Sequence, residues 1–585
     1  MRFGLFYEHQ LPRPWDPDSE RRILADALEQ IEIADRAGFD FVWLVEHHFM
    51  EEYSHSSAPE VFLGAASQRT SRIRLGHGIV QIPHAVNHPA RVAERIATLD
   101  LLSGGRAEFG TGESSSAAEL GGFGVRRGAK RAMWEDAMAA IAHMFVEEPF
   151  AGWDSRFLKM PPRNVVPKPL QKPHPPLWVA CSRRETIQFA ARNGIGALSF
   201  SFAEPEDAGK WVADYYALIA SEECVPVGFS VNPNLAVVLP MMCHEDEATA
   251  IERGIDGAHF FGYALAHYYG ITPHSPGRTS VWEEFLAGRN EGGYARDLIL
   301  ADDAPLAVKI MQQGLGSMRG AVGTPDQIAE FVARYEAVGV DQVGFVLQAG
   351  TNKHEDICES IELFGKSVIP RFAERREAHE REKEERLAPA IEAALARRPP
   401  PRAASGVYRI DEEAELERAR SPRRTARLKP SELLASARVD ARAAVRRRSQ
   451  RALASFVRAR PDDAIERRMG SAAVQGAIFR AMARSFEPKM AYGFEGEIEF
   501  ELTTPSSGGE SRRWTIAVND GRAAARPGPA NDARVAIRVG VADFMRLTAG
   551  EANGATLLLE GRLELAGDFA IAPRLAEMFG GPSPY

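Results

Sequence analysis

Two adjacent histidines, His47 and His48, lie in the segment WLVEHHF directly after Glu46. An imidazole can bind a metal ion, exchange protons near neutral pH or lie buried in a core. Neighbouring residues of a β-strand point to opposite faces, so both rings cannot enter one pocket while the strand continues. No H-E-x-x-H helix lies nearby, which weakens a shared metal site. The segment therefore predicts either one histidine at a site of proton exchange or ligand binding, or a buried structural histidine.

The chain from residue 1 to about Phe372 alternates short β-type runs with amphipathic helices. Strands that alternate with helices over this length predict a parallel β/α architecture. Helices are expected at about Ser19–Ala37, after Pro59, at about Pro89–Leu102 and at about Lys130–Val146. The strand candidates are RFGLFY, FDFVWLV, IRLGHGIVQI, RAEFGTG, PLWVACS, GALSFSF, NLAVVLPMM and VDQVGFVLQ.

The first strand distinguishes two such architectures. A doubly wound sheet normally opens with a glycine-rich phosphate turn after its first strand, and FGLFYEHQ contains no such turn. The chain is therefore predicted to be of the α/β class, with a (β/α)₈ TIM barrel. In that fold the chemistry lies at the C-terminal ends of the strands, and His47 follows the second strand candidate.

Length, charge and cysteine usage limit the possible functions. The chain has 585 residues, 26% of them charged, and a net charge of -9, so several domains are expected and nucleic acid is not an expected partner. No apolar segment is long enough to cross a bilayer, and no signal segment precedes the first strand. Scattered cysteines argue against a disulfide framework and favour a reducing cytoplasm. They are Cys181, Cys224, Cys243 and Cys358.

The remaining chain divides into a predicted linker and a second domain. Residues 374–470 begin as the charged helix ERREAHEREKEER, break at RRPPPRAASG and continue rich in arginine and alanine. They are predicted to be a charged, partly helical linker, or alternatively a binding patch for nucleic acid or an acidic surface. Residues 471–585 combine helices with alternating strands, and the pair Asp520–Gly521 predicts a tight turn between two antiparallel strands.

Residues 1–372 resemble the bacterial luciferase-like flavin monooxygenase family. The segments that carry the resemblance are GFDFVWLVEHHF, HPARVAERIATLDLLSGGRAEFGTG, VGTPDQIAEFV and HEDICESIELFGKSVIPRF, in the family's order. The resemblance implies a (β/α)₈ barrel in which reduced FMN and dioxygen form a flavin hydroperoxide that oxygenates a small organic substrate. The family's catalytic histidine is the first of the pair, so the resemblance assigns this role to His47, with His48 pointing away.

Three further cofactor-binding candidates come from the same resemblance. Gly78 and Ile79 match the strand end that packs against the flavin ring in the family, although both residues could equally be barrel core. Glu94 matches an acid that lies beneath the flavin. Alternatively, Glu94 is a carboxylate on the helix surface that pairs with Arg91 or Arg95.

The segment GTGESSS, which contains Gly112, lies where the family often has an arginine that grips the flavin phosphate. This chain has Glu113 there instead. A carboxylate beside a phosphate is repulsive unless it is neutralised. Either the phosphate grip is weak, or an arginine from elsewhere takes over. The candidates are Arg126, Arg127, Arg183 and Arg184.

The segment ACSRRET resembles the family's next phosphate-binding turn. Ser182 and the free N–H groups at the start of the following helix could bind an anion, or Ser182 could simply cap that helix. Cys181, beside it, is included among the cofactor-binding candidates but is expected to be a barrel residue rather than a nucleophile.

The insertion His259–Gly277 is rich in histidine and aromatic residues and lies before the last barrel strand. It could line a hydrophobic substrate pocket, or it could serve dimer or core packing, and packing is slightly favoured. Its histidines have varied spacing that does not form a metal-binding set.

Residues 477–579 resemble the sterol-carrier-protein type of lipid-binding domain. The segments that carry the resemblance are WTIAVNDG, DFMRLTAGE and LEGRLELAGD. Such domains offer an apolar tunnel for acyl chains or sterols. The alternative is an attachment domain that has no ligand.

The sequence thus predicts a flavin-dependent monooxygenase with a small hydrophobic substrate such as an aldehyde or ketone. No G-x-G-x-x-G motif opens a βα unit, so a separate flavin reductase is expected to supply the reduced FMN. The resemblance also implies a homodimer. The alternatives are a deazaflavin-dependent hydride-transfer enzyme on the same barrel and a non-catalytic flavin or lipid carrier.

Overall fold

The structure is a computed structural model whose described residues form two compact units. One unit is built from residues within 1–289 and 320–404, and the other from residues within 453–579. The described residues are 1–114, 116–182, 184–199, 205–269, 274–291, 320–404, 410, 453–458, 460–486, 488, 494–505, 511–549, 551–552, 557, 560–567 and 575–579.

Eight parallel strands close a barrel in the first unit. They are β1 Arg2–Tyr7, β2 Phe41–Leu44, β3 Arg74–His77, β4 Ala107–Gly112, β5 Leu177–Cys181, β6 Gly196–Ser199, β7 Leu235–Cys243 and β8 Gln342–Val346. Each strand pairs with the next, and β8 returns to β1 with Val343 opposite Phe3. The predicted (β/α)₈ barrel is confirmed, and the candidate GALSFSF is described as far as Ser199.

Helices connect the strands and surround the barrel. They are α1 Ser19–Ala37, α2 Pro59–Arg69, α3 Pro89–Leu102, α4 Ala117–Gly122, α5 Lys130–Val146, α6 Arg184–Arg192, α7 Pro205–Ile219, α8 Glu247–Tyr269, α9 Val281–Glu291, α10 Pro325–Ala337, α11 His354–Ser367 and α12 Ile369–Arg397. The predicted bounds of α1, α3 and α5 agree with the structure. Within the described part of the chain, no helix is long and apolar enough to cross a membrane.

Helix α1 shows how the sequence fixes these elements. Ile23, Ala27, Ile31 and Ala34 are buried and recur every three or four residues, which gives the helix one apolar stripe. The helix ends at Gly38, whose φ of 99° lets its N–H donate to the Ala34 carbonyl.

The barrel strands are buried on both faces. All four residues of β2 are buried, with Val42 and Leu44 in the outer core between strands and helices. Trp43 points to the barrel interior, where its ring meets Trp178 edge to face at 5.3 Å between centroids. These large rings fill the interior, so neighbouring strands need glycine where they approach closely.

The first part of the predicted linker packs on the barrel. Helix α12 extends through it with Leu387 and Ala394 buried. Lys383 Nζ lies 2.7 Å from Asp341 Oδ1. The Arg402 backbone N–H donates to Oε1 of the buried Glu147 at 2.8 Å. Residues 374–404 therefore belong to the barrel unit, because barrel carboxylates neutralise their basic side chains; residues 405–409 and 411–452 lie outside the described residues.

The second unit is an α+β domain around one five-stranded sheet. Its elements are α13 Asp462–Met469, α14 Ala472–Arg484, β9 Gly496–Thr503, β10 Ser511–Asn519, β11 Arg522–Pro527, β12 Ala533–Gly540, α15 Val541–Ala549 and β13 Leu563–Gly567. The strand order is β11-β10-β9-β12-β13, and only β9 and β12 are parallel. The predicted turn is confirmed, because Asp520 and Gly521 both have positive φ between β10 and β11. Residues 553–556, 558 and 559 lie outside the described residues, and a last short helix is described from Leu575 to Met578.

We predict that Gly110→Ala destabilises the barrel. A Cβ at Gly110 would lie 1.9 Å from the backbone oxygen of His77, which cannot move without separating β3 from β4. The expected loss is about 3 kcal/mol. The matched control is Gly64→Ala in α2, where nothing lies within 4 Å of the added Cβ. That control should stabilise the helix by about 0.5–1 kcal/mol. Calorimetric unfolding of both variants gives the comparison, and equal stability of Gly110→Ala and the parent would contradict the packing argument.

Candidate active site

Three ionisable side chains meet at the mouth of the barrel. Glu8 follows β1, His47 follows β2, and Glu119 lies on α4 after β4. The carboxyl ends of parallel barrel strands share one face, so residues distant in the sequence become neighbours there. All three side chains are buried.

Each nitrogen of the His47 ring faces a carboxylate. Nδ1 donates to Glu119 Oε1 at 2.9 Å, and Nε2 lies 3.6 Å from Glu8 Oε2. Burial lowers the pKa of His47, but the carboxylates of Glu119 and Glu8 outweigh burial and raise it to about 9. The geometry therefore favours a protonated imidazolium at neutral pH.

Glu119 is the acceptor for several donors. Its Oε1 also accepts the backbone N–H of His48 at 3.0 Å and the side-chain amide of Gln81, and its Oε2 accepts the Ser114 hydroxyl at 2.8 Å. Burial raises the pKa of Glu119, but the charge of His47 and these hydrogen bonds outweigh it, so the pKa lies below its usual value. Because Glu119 remains ionised, His47 Nδ1 keeps its proton and Nε2 is the nitrogen that exchanges one.

Glu8 differs from Glu119 in having few donors. Its Oε1 accepts the Tyr53 hydroxyl at 2.9 Å. Burial raises the pKa of Glu8 to about 7, against the opposing effects of His47 and of the Tyr53 hydroxyl. The surroundings of the two carboxylates that flank His47 therefore raise the pKa of Glu8 and lower that of Glu119.

His48 has a different set of neighbours. Its Nε2 lies 3.1 Å from Glu46 Oε1, and Glu46 Oε2 accepts the backbone N–H of Gln81 at 2.8 Å. The sequence argument expected the strand pleat to separate the two histidines. Strand β2 ends at Leu44, so the loop and its hydrogen bonds separate them instead.

Strained backbone surrounds this mouth. His9, Phe49, Glu51 and Ser114 all have positive φ without being glycine, at 53°, 63°, 21° and 58°. These residues follow β1, β2 and β4. Such conformations persist only where the surrounding structure enforces them, and they cluster at functional sites.

Gly78, Ile79 and Gly112 lie together at the ends of β3 and β4. A Cβ at Gly112 would lie 2.3 Å from Ile79 Cδ1, and one at Gly78 would lie 3.1 Å from the side chains of Phe6 and Trp43. These contacts are those of the barrel core. Contact with a flavin stays a prediction for all three residues.

Glu94 lies on α3 with a side chain that is 36% exposed. Its Oε2 lies 3.5 Å from Nη1 of Arg91, which is the surface pairing that the sequence left open. Its predicted place beneath a flavin stays a prediction.

Two basic residues that the sequence reasoning missed neutralise Glu113. Arg131 Nη2 lies 3.3 Å and Lys130 Nζ lies 3.7 Å from Glu113 Oε1. Lys130 Nζ also donates to the Ser114 carbonyl at 2.6 Å. Both residues lie in the first turn of α5. Two adjacent basic residues at the start of a predicted helix were therefore the sequence signal that could have identified them.

Two of the four predicted replacements for the phosphate arginine, Arg126 and Arg184, have described side chains. Arg184 Nε donates to Asp214 Oδ2 at 2.5 Å, and Arg126 is exposed. Arg183 and the side chain of Arg127 lie outside the described residues.

Arg131 contacts α6 as well as Glu113. Its guanidinium carbon is 4.6 Å from the Phe189 ring centroid of α6. Burial raises the pKa of Cys181 far above its usual value, and the charge of Arg131 opposes this. Cys181 is fully buried, as expected for a barrel residue, while Ser182 is exposed. Arg131 thus pairs with Glu113, and its charge also acts on Cys181, the residue before Ser182.

The insertion packs over the mouth. Phe261 and Tyr268 of α8 are buried, and each ring lies 6.1 Å from that of Tyr53. The buried carboxylate of Glu52 accepts the backbone N–H of Val281 at 2.8 Å, at the start of α9. The described part of the insertion has the packing role that the sequence slightly favoured; residues 270–273 lie outside the described residues.

A family model described as luciferase-like monooxygenase matches residues 1–342, which is more than half of the chain. The chain belongs to the luciferase-like monooxygenase family. A second model, the SCP-2 sterol transfer family, matches residues 481–580 of this luciferase-like protein. Both predicted resemblances are confirmed.

Several known proteins are similar to parts of this luciferase-like chain. Uncharacterized protein y4wF of Sinorhizobium fredii is 37% identical over 197 residues, which is 33% of this chain and 54% of that protein. The oxygenase component of flavin-dependent trigonelline monooxygenase from Acinetobacter baylyi is 24% identical over 381 residues, 64% of this chain and 96% of that protein. The crystal structure of monooxygenase RslO1 from Streptomyces bottropensis has a TM-score of 0.50 at 23% identity, and the match covers 64% of this chain and 100% of that one. This last likeness supports the barrel fold.

We predict that Glu119→Gln lowers the pKa of His47. Loss of a carboxylate at hydrogen-bond distance should lower that pKa by about 1–3. A histidine whose folded pKa is raised stabilises the fold fully below pH 6.5 and loses this contribution as pH rises to about 9. The parent should therefore lose free energy of unfolding across this window, and Glu119→Gln should lose less.

Histidine-selective NMR titration and urea unfolding at several pH values measure both effects. Glu392→Gln, an exposed carboxylate on α12, is the control and should leave the titration of His47 unchanged. An unchanged His47 titration in Glu119→Gln would show that this carboxylate does not hold the imidazolium.

Proposed function

We propose that the barrel uses reduced FMN and dioxygen to oxygenate a small hydrophobic substrate such as an aldehyde or ketone. The observation that carries the proposal is the buried His47, held between Glu119 and Glu8 at the barrel mouth of a luciferase-like chain. Reduced FMN would supply the electrons that activate dioxygen. His47 would hold or deliver a proton at Nε2 beside the reacting atoms.

The residues at the mouth fit a phosphorylated flavin. Lys130 and Arg131 supply two cations at the start of α5, where backbone N–H groups also favour an anion. Glu113 opposes the phosphate, so we propose that its charge is balanced by the two cations and that it weakens the phosphate grip.

The aromatic residues of α8 support exclusion of water from the reaction. Phe261 and Tyr268 cover Tyr53, which in turn contacts Glu8. Exclusion of water protects an activated oxygen species from hydrolysis and strengthens charge interactions within the site. A hydrophobic substrate is consistent with this cover.

The partners follow from the same comparisons. The trigonelline relative is the oxygenase component of its system, which supports a separate flavin reductase for this chain. The SCP-2 match supports an acyl or sterol ligand in the C-terminal unit, whose described core contains Phe479 stacked on Trp514. A homodimer stays a prediction.

We predict that His47→Asn abolishes oxygenation without preventing flavin binding. Loss of a positioned proton-transfer group lowers turnover by about 100- to 10,000-fold, whereas the affinity for FMN should change little because His47 is not a phosphate ligand. The measurement uses reduced FMN, isotopically labelled dioxygen and a panel of aliphatic aldehydes and ketones, with products identified by mass spectrometry.

Glu392→Gln serves as the control with unchanged activity. Full turnover by His47→Asn would contradict the role of this histidine. Tight use of a reduced deazaflavin without oxygen consumption would contradict the monooxygenase proposal and favour hydride transfer.

We predict that Glu113→Gln strengthens the binding of FMN. Removing the carboxylate releases Lys130 and Arg131 for the phosphate, and the expected gain is about tenfold in Kd, or about 1.4 kcal/mol. Fluorescence titration with FMN and with riboflavin, which lacks the phosphate, separates the effect on phosphate from that on the ring. An equal change for both ligands, or none for FMN, would place the phosphate elsewhere.

A further inference from the structure

We propose that Glu8 is a positioning and proton-relay residue that exchanges a proton with Nε2 of His47. The inference rests on the proposed function of His47. It gives this chain a second acid–base group that neither the sequence reasoning nor the comparisons assign.

The geometry makes Nε2 the nitrogen of His47 that can exchange a proton with Glu8. Nδ1 donates to Glu119, whose oxygens accept several further donors. Nε2 is directed at Glu8 Oε2, at 3.6 Å. Among the described residues, Glu8 Oε2 has no hydrogen-bond partner, whereas Glu8 Oε1 already accepts the Tyr53 hydroxyl. A buried carboxylate oxygen with free lone pairs therefore faces the one exchangeable N–H, and such contacts commonly tighten when a ligand binds.

The surroundings make a direct relay more favourable than exchange with solvent. Glu8 is 2% exposed, and Tyr53 lies against it beneath Phe261 and Tyr268 of α8. A buried carboxylate without a full set of donors is stabilised when it takes up a proton. Glu119 has these donors and Glu8 does not, so Glu8 is the carboxylate that accepts the proton from His47.

The step balances without an additional reactant. The N–H bond at His47 Nε2 breaks, its electron pair stays on the nitrogen, and an O–H bond forms at Glu8 Oε2. The ion pair of His47 and Glu8 becomes two neutral groups, while Glu119 remains ionised. The reverse step restores the imidazolium. The ionisable groups that face Glu8 are His47, Tyr53 and Glu119.

The test compares Glu8→Gln and Glu8→Asp in the full-length protein. Histidine NMR on the flavin-free protein reports the pKa and tautomer of His47. Glu8→Gln should lower this pKa because one of the two flanking charges is lost, while the proton on Nδ1 should stay there and remain hydrogen-bonded to Glu119. Infrared titration should show a buried carboxylic acid that ionises near pH 7 in the parent and is missing in Glu8→Gln.

The pH profile of turnover gives a second readout that a structural role would not change. The parent and Glu8→Asp should share an ionisation that Glu8→Gln lacks. Tyr53→Phe removes the donor to Glu8 Oε1 and should move this ionisation to higher pH, so the inference stays testable if Glu8→Gln folds poorly. Glu392→Gln should match the parent.

The outcomes separate the two proposals. Identical pH profiles and identical His47 titrations in the parent and Glu8→Gln would overturn the relay. If the flavin-free protein shows the coupled titration but the parent never oxygenates a substrate, the proton exchange between Glu8 and His47 stands and the proposed function fails.

Discussion

The mouth of the barrel depends on one buried negative charge, the carboxylate of Glu119. It is ionised because His47, the His48 backbone, Ser114 and an amide all donate to it. An ionised Glu119 fixes the Nδ1 proton of His47 and thereby leaves Nε2 as the nitrogen that can exchange a proton. The strained turn at Ser114 and the loop after β2 are held in place by the same hydrogen bonds. Without this charge, burial would lower the pKa of the imidazole with less opposition.

A second charge balance governs the predicted phosphate end of the site. Glu113 takes the place of the family's usual arginine, yet it does not leave the region negative, because Lys130 and Arg131 converge on it. The cations come from the first turn of α5 and reach the turn after β4. The site thus has its positive charge on a helix instead of on the strand end. The position of the Arg131 charge therefore depends on how α5 packs against α6.

The fold could be predicted in detail because its signals are local. The bounds of α1, α3 and α5 follow from apolar periodicity and from residues such as Gly38, which are visible within one turn of chain. The C-terminal boundary of the barrel unit was harder to predict from the sequence. Residues 374–404 look like a solvated linker in the sequence because they are charged. They pack on the barrel because Asp341 and Glu147 neutralise Lys383 and Arg402, and these partners are distant in the sequence.

The sequence by itself determined the barrel and the C-terminal α+β domain, since strand spacing and local motifs encode both, and its resemblance to the family predicted a catalytic role for His47. Only the tertiary structure decided what surrounds that histidine. Glu119 is separated from His47 by 72 residues, and Glu8 comes from another strand altogether. No local pattern marks either carboxylate as a partner. Closing the barrel brings their strand ends to one face. Burial raises the pKa of both carboxylates, and the charge of His47 and several hydrogen bonds outweigh burial at Glu119 but not at Glu8. The sequence predicted His47 as the catalytic ring, and the closed barrel decided that its Nδ1 meets Glu119 and its Nε2 faces Glu8.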